Sequence, residues 1–452
     1  MTPEPPISLW PDSESLGTIT DLYELTMMAG YHASGMAGEP ATFEIFVRRM
    51  PPNRSYLVFA GLEQAVGDLM RLAFSAEQIE AIRAWPAFRE RPASFFEMLR
   101  ELRFKGDVWA APEGTVVFPG ETLVRVSAPL LQAQWVETFL LASLGYPTLV
   151  ASKAARMVVA AEGRSLFEFG ARRAHGPQAG LLAARAAYLA GFEATSHVEA
   201  ARRLNIPCVG TMAHSWVQSF DTESEAFAAY ARAFPTSTTL LVDTYDTLEG
   251  VRNAATLDAP VAAVRIDSGD LAILSRQARA ILDAHGRRDV KILGSGDVDE
   301  NQLAALVAAG APIDGYGIGT ELVTSRDGPA LSMVYKLVEL EGRGRYKLAP
   351  GKKTYPMAKQ VYRRRDAAGR FVGDLVARAD EPPPADGEAL LVPVLRQGRL
   401  VDPPPSLEAI RERCKAQITA LPEALRKLDS DVAYPVAYSD ALEADAARIM
   451  DR

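Results

Sequence analysis

Residues 262–297 read AAVRIDSGDLAILSRQARAILDAHGRRDVKILGSGD, and this stretch decides the fold. Ala262–Ile266 is a short apolar run. Leu271–His285 sets Leu271, Leu274, Ala278, Ile281 and Leu282 along one helical stripe, and Gly286 stops it. Val290–Leu293 is a second apolar run. Strand, helix, strand at this spacing is a βαβ unit with parallel strands. Outward from it, the same rhythm fills the chain from about residue 150. Its other runs are Leu166–Phe169, Ala194–Val198, Cys208–Met212, Leu240–Thr244 and Gly315–Ile318, and a further helix over Glu300–Ala309 closes at Gly310. Seven such runs exceed what a Rossmann domain needs, so the spacing predicts a (β/α) barrel of irregular form.

The flanks read differently. Asp21–Tyr31 has helical spacing, with Thr20 as the expected N-cap. Ala41–Val47 alternates as a strand, Pro51-Pro-Asn53 turns, and a helix is expected near Phe59–Leu72. Short β runs fill Lys105–Ala128, broken by Pro112-Glu-Gly114 and Pro119-Gly120; a helix then follows over Gln132–Leu144, ending at Gly145. Past residue 330, hairpins are expected for Val334–Leu340 with Tyr346–Leu348 and for Leu390–Leu395 with Leu400–Val401. Pro382–Pro384 and Pro403–Pro405 mark linkers, and Ser406–Leu428 is helical apart from Pro422.

Composition sets outer limits. At 452 residues with 48% hydrophobic and 23% charged, this is an ordinary globular chain, long enough for two or three domains. The net charge, 49 − 57 = −8, disfavours a nucleic-acid binder, although a local basic pocket can still sit on an acidic protein. Two distant cysteines, Cys208 and Cys414, rule out a disulfide scaffold and a four-cysteine zinc site. The first residues carry no secretory pattern, and no apolar stretch nears the ~20 residues of a membrane span. The expected location is the cytoplasm, with no membrane partner.

In a barrel of this kind the site forms where the strands end. Each end here delivers polar or glycine-rich chemistry: Gly170-Ala-Arg172-Arg173, then Thr195-Ser196-His197, then Gly210-Thr211 with His214-Ser215. Asp243 and Asp246, Arg265-Ile-Asp267 with Asp270, Gly294-Ser295-Gly296-Asp297 and Gly317-Ile-Gly319-Thr320 follow. That evenness points to an enzyme. The two glycine-rich ends suit a phosphate, because glycine lets backbone N–H groups approach an anion and helix N-termini add a favourable dipole. Neither is a P-loop, since GxxxxGK[ST] is absent. Arg172, Arg173 and Arg265 would add positive charge, and Asp267 and Asp270 could hold Mg²⁺ directly or through water. For each residue the bland alternative is a loop salt bridge. His285 reads as a helix-end cap rather than a chemical group.

Thr20–Met28, Phe169-Gly-Ala-Arg-Arg173, Gly210-Thr-Met-Ala-His-Ser215, Leu241–Tyr245, Arg265–Asp270, Gly317–Thr320, Val334–Leu337, Gly351–Pro356 and Lys359–Val361 together resemble the nicotinate phosphoribosyltransferases. Each motif is short, but they occur in order from about residue 20 to 361. The resemblance implies an irregular (β/α) barrel over 149–335, with an α/β sandwich-like domain built from both chain ends, 1–148 and 336–452. It implies ATP-coupled transfer from 5-phosphoribosyl 1-diphosphate (PRPP) to nicotinate, with Mg²⁺, in a homodimer whose neighbouring subunit completes each site. It places Tyr23 on the nicotinate ring and Arg265 on its carboxylate or a nearby phosphate, with Thr211 lining the same pocket. His214 would be phosphorylated by ATP. Arg172, Ser295, Gly296, Gly319 and Thr320 would hold ribose phosphate and diphosphate, and Asp267 would meet ribose hydroxyls or Mg²⁺. Ser196 stands where the nicotinamide-using sister family carries an Asp, which would repel nicotinate. Two departures stand out. Met357-Ala358 replaces a glycine-containing turn, and the cysteines of a C-terminal zinc knuckle are missing, so no zinc is expected.

Overall fold

The computed structural model describes residues 11–12, 15–347 and 354–450. A six-stranded parallel sheet lies at the centre, in the order Ala194–Thr195, Ser165–Glu168, Gly315–Ile318, Lys291–Gly296, Ala263–Ile266, Thr239–Leu241. It curls, and helices cover it. The Cys208–Met212 run does not become a strand: it makes one parallel bridge, Cys208 to Thr195. Its later carbonyls turn elsewhere, Met212 O accepting from Arg265 Nη2 at 3.2 Å. The barrel is therefore a half-barrel, open beside Thr239–Leu241. Leu240, Val264, Ile292 and Ile318 are fully buried on its strands and join the helix Leu271–Ala284 through Ala278 and Leu282.

A seven-stranded antiparallel sheet draws on both chain ends. Its order is Arg343–Gly344, Met333–Leu340, Pro40–Val47, Thr122–Pro129, Asp107–Ala110, Val392–Arg396, Arg399–Leu400. The hairpin of Leu390–Leu395 appears, as Val392–Arg396 with Arg399–Leu400, but the other is corrected: Met333–Leu340 turns tightly at Glu341-Gly342 and pairs with Arg343–Gly344, while Tyr346 and Lys347 lie outside any strand. Leu348 and the Gly351–Lys353 part of the late motif lie outside the described residues. Tyr335, from the Val334–Leu337 motif, is a core residue here: it stacks on Phe43 at 4.8 Å and donates to Ala133 O at 2.6 Å.

Further expectations are corrected. The helix expected to stop at Gly145 runs over Glu137–Ala160, straight through Pro147. Pro147 cannot donate to Ser143 O, but neighbouring segments hold the helix: Ser152 Oγ accepts from Val58 N at 2.8 Å and Thr148 Oγ1 from Ala60 N at 3.2 Å. Thr20 is not the N-cap of Leu22–Ala33; Asp21 is, with Glu24 accepting from its N–H at 2.9 Å in a capping box, while Thr20 donates to Trp135 O. A third sheet, Gly387–Ala389, Lys359–Arg365, Phe371–Arg378 and Val436–Tyr438, was not expected at all. Its charge-rich strands hide a fully buried Arg363, which grips Asp374 through Nη2 at 2.7 Å.

Candidate active site

Sheet register assembles the site. Ile266 pairs with Gly294, so Asp267 and Ser295 emerge side by side, and Ser295 Oγ donates to Asp267 Oδ1 at 2.5 Å. Leu241 pairs with Arg265, so Asp243 arrives level with Asp267, and its Oδ2 accepts from Asp267 N at 2.9 Å and Ser268 Oγ at 2.7 Å. Asp243 Oδ1 and Arg265 Nε are buried without a hydrogen-bond partner. Such unpartnered polar atoms can accept from, or donate to, a ligand. Burial pushes the Arg265 guanidinium below its ordinary pKa and the nearby charge of Arg172 adds to this, against the pull of Asp267 and Asp243. Asp243 reads from the sequence as a strand-end acid with no assigned role; the register brings it into the site.

Beside this group a cavity of about 560 Å³ is lined by Asp267, Ser295, Gly296 and Gln302 among others. Gly296 has φ +113°, and a Cβ there would meet Asp267 O at 2.8 Å, so the turn requires glycine. The helix that follows, Glu300–Ala308, is capped by Asp299 in a capping box. An anion here would therefore meet the loop backbone rather than a free helix end. Gly319 caps only the short turn Thr320–Val323.

His214 opens the helix His214–Gln218, half-buried, with Nδ1 3.1 Å from Thr244 Oγ1. Thr211, two residues before Ala213, donates to Met212 O. Arg172 and Arg173 are exposed on the turn Ala171–Arg173, and Ser196 is half-buried with its N–H on Glu168 O. The Asp270 carboxylate caps Leu271–Ala284, Oδ1 accepting from Ile273 N at 3.0 Å. His285 caps the other end, Nδ1 on Ile281 O at 2.8 Å. Tyr23 lies apart, 44% exposed on the helix Leu22–Ala33, where burial and the charges of Glu137 and Glu24 raise its pKa. Lys359, of the late motif, is buried against Glu44 at 2.9 Å. Met357 adopts φ +68°, the left-handed backbone that a glycine would favour.

Among the described residues no group of three or more His, Cys, Asp or Glu is arranged to hold a metal ion, and no helix is long and apolar enough to cross a membrane. Asp243 and Asp267 do fit a Mg²⁺ ion that takes most of its remaining ligands from phosphate and water, as the orphaned Asp243 Oδ1 allows.

An open parallel barrel with acids, arginines and glycine loops at its strand ends defines an enzyme class that handles phosphorylated substrates. Family models for the nicotinate phosphoribosyltransferase N-terminal domain, the family itself and its C-terminal domain match residues 18–145, 164–374 and 385–445. A nicotinate phosphoribosyltransferase of Mycobacterium tuberculosis, pncB2, is 48% identical over 95% of this chain and 93% of its own length. The Bos taurus enzyme is 34% identical over 96% of each. The crystal structure of human nicotinic acid phosphoribosyltransferase superposes with a TM-score of 0.84 at 31% identity, covering 95% of this chain and 99% of that one. A nicotinate-nucleotide pyrophosphorylase from Pyrococcus furiosus shares the fold, with a TM-score of 0.76 at 23% identity. The chain belongs to the nicotinate phosphoribosyltransferase family.

Proposed function

We infer that this enzyme joins nicotinate to PRPP, giving nicotinate mononucleotide and diphosphate in NAD biosynthesis or salvage. The nicotinate ring nitrogen attacks the anomeric carbon of PRPP as the bond to diphosphate breaks. The nitrogen is already nucleophilic, so no strong general base is needed. Charge on the leaving diphosphate grows in an oxocarbenium-like transition state. One observation carries the reading: a single register gathers Arg265, Asp243, Asp267 and Ser295. In this reading Arg265, poorly paired through Nε, takes the nicotinate carboxylate or a phosphate, and Thr211 lines its pocket. Arg172, Ser295, Gly296, Gly319 and Thr320 hold the phosphates. Asp267, with Asp243, orients ribose hydroxyls and would hold Mg²⁺, which supplies positive charge against the diphosphate.

His214 takes a phosphoryl group from ATP, adding about −1.5 to −2 charges beside the site by analogy with other phosphoresidues. A neighbouring subunit completes the site with its Tyr23; the exposure of Tyr23, among N-terminal residues Glu24 and Glu137, supports this. Mass spectrometry after ATP exposure tests the ATP step: acid-labile phosphate on His214 is expected, and its absence overturns that step.

A further inference from the structure

Glu168 ends the central strand Ser165–Glu168 and is 1% exposed, yet no substrate role falls to it. Its carboxylate meets two donors from two loops. Oε1 accepts from Gly170 N at 2.5 Å, and Oε2 from Thr195 Oγ1 at 2.5 Å. Its own carbonyl accepts from Ser196 N at 2.9 Å. Thr195 Oγ1 in turn accepts from His197 N at 3.0 Å. One side chain thus ties the turn that carries Arg172 to the loop that carries Ser196. The first loop has little slack: a Cβ on Gly170 would meet Val323 Cγ1 at 2.2 Å. Burial raises the Glu168 pKa, while the bonds from Thr195 and Gly170 and the charge of His197 hold it down. A buried carboxylate accepting two short bonds keeps both donors in place, since losing it would strand them without water.

We propose that Glu168 is a positioning residue that sets the phosphoribosyl-side turn at Gly170–Arg173 and the pyridine-side loop at Thr195–His197 at a fixed separation through its Gly170 and Thr195 hydrogen bonds. The proposal rests on the reading that Arg172 serves PRPP and Ser196 serves the pyridine. A misplacement of about 1 Å between reacting partners costs roughly a hundredfold in rate. Glu168→Gln cannot accept from both donors at once, because one of its two positions is an NH₂ group. It should lower kcat roughly ten- to a hundredfold while KM for nicotinate and PRPP moves less than about threefold.

Steady-state kinetics of Glu168→Gln, Thr195→Val, Thr195→Ser and the Glu168→Gln/Thr195→Val pair, with melting curves of each, test this. Thr195→Val should match Glu168→Gln, Thr195→Ser should keep most of kcat, and the pair should lose no more kcat than either single change, with every variant folded at the assay temperature and melting only a few degrees lower. An unchanged kcat in folded Glu168→Gln overturns the proposal. So does a fully additive loss, or a loss in both single variants that follows the amount of folded protein. Arg172→Ala, measured alongside, separates the underlying reading: an unchanged PRPP KM there refutes the role of Arg172 and with it the proposal, whereas a raised PRPP KM there beside an unchanged kcat in Glu168→Gln refutes the positioning role alone.

Discussion

Replacing Lys153 with methionine removes one charge from a buried network behind the glycine-rich loops. Lys153 is 1% exposed; its Nζ lies 2.6 Å from Glu300 and 2.9 Å from Asp327. Glu300 opens the helix after the Gly294–Gly296 loop, and Asp327 follows the turn Thr320–Val323. Methionine fills the stem, so no cavity opens and the loss is electrostatic. Removing one partner of a buried pair costs about 3–5 kcal/mol. Here each acid keeps an arginine, Glu300 with Arg156 at 3.3 Å and Asp327 with Arg54 at 3.0 Å. The lower end, about 3 kcal/mol, is therefore expected. Burial works against the Asp327 charge, but Arg54 and Lys153 hold its pKa below the ordinary 3.8. Its stabilising contribution is present above 3.8 and is lost as pH falls through the lower folded value. Lys153→Met should shrink that acid-side loss. Urea denaturation at pH 7 and pH 3 measures both effects. A change under about 1 kcal/mol at pH 7 would mean the network is worth no more than surface pairs, which refutes the reasoning.

Other outcomes follow from single positions. At Met357, with φ +68°, glycine should be neutral or stabilising by up to about 1 kcal/mol, whereas valine should cost about 1–2 kcal/mol; equal midpoints for the two would contradict strain there. Glu121 is buried, 3.7 Å from Arg363, and burial, with the nearby Asp374, raises its pKa well above 4.5. Its contribution is full below 4.5 and is lost as pH rises through the folded value, so the melting advantage of Glu121→Gln should grow from pH 5 to pH 8; a constant difference speaks against a protonated Glu121. Ser196→Asp should raise the nicotinate KM roughly tenfold or more, about 1.4 kcal/mol, by carboxylate repulsion; an unchanged KM removes Ser196 from the pyridine pocket.

The strand ends were legible in the sequence because apolar runs followed by polar clusters survive any detail of packing. Arg265, Asp267, Ser295 and Gly296 came from that pattern. Partnerships were not legible. That Asp243 bonds Asp267 N depends on register between strands 24 residues apart in sequence. Glu168 reads as an ordinary strand residue until burial is known. The helix through Pro147 defied its local signal because Ser152 and Thr148 accept from Val58 N and Ala60 N of the neighbouring segment. The sheet around Arg363 was hidden because its strands look solvated; Asp374, Gln417 and Val116 O, which accept from the guanidinium, make that burial tolerable.

The central claim is settled most directly by offering nicotinate, nicotinamide and quinolinate separately with PRPP and Mg²⁺, with and without ATP, and measuring mononucleotide and diphosphate. The account predicts nicotinate mononucleotide and diphosphate in equal amounts, faster with ATP, and the other two pyridines slower by roughly a hundredfold or more. Preferred turnover of nicotinamide or quinolinate, or no diphosphate release from nicotinate under either condition, would contradict it.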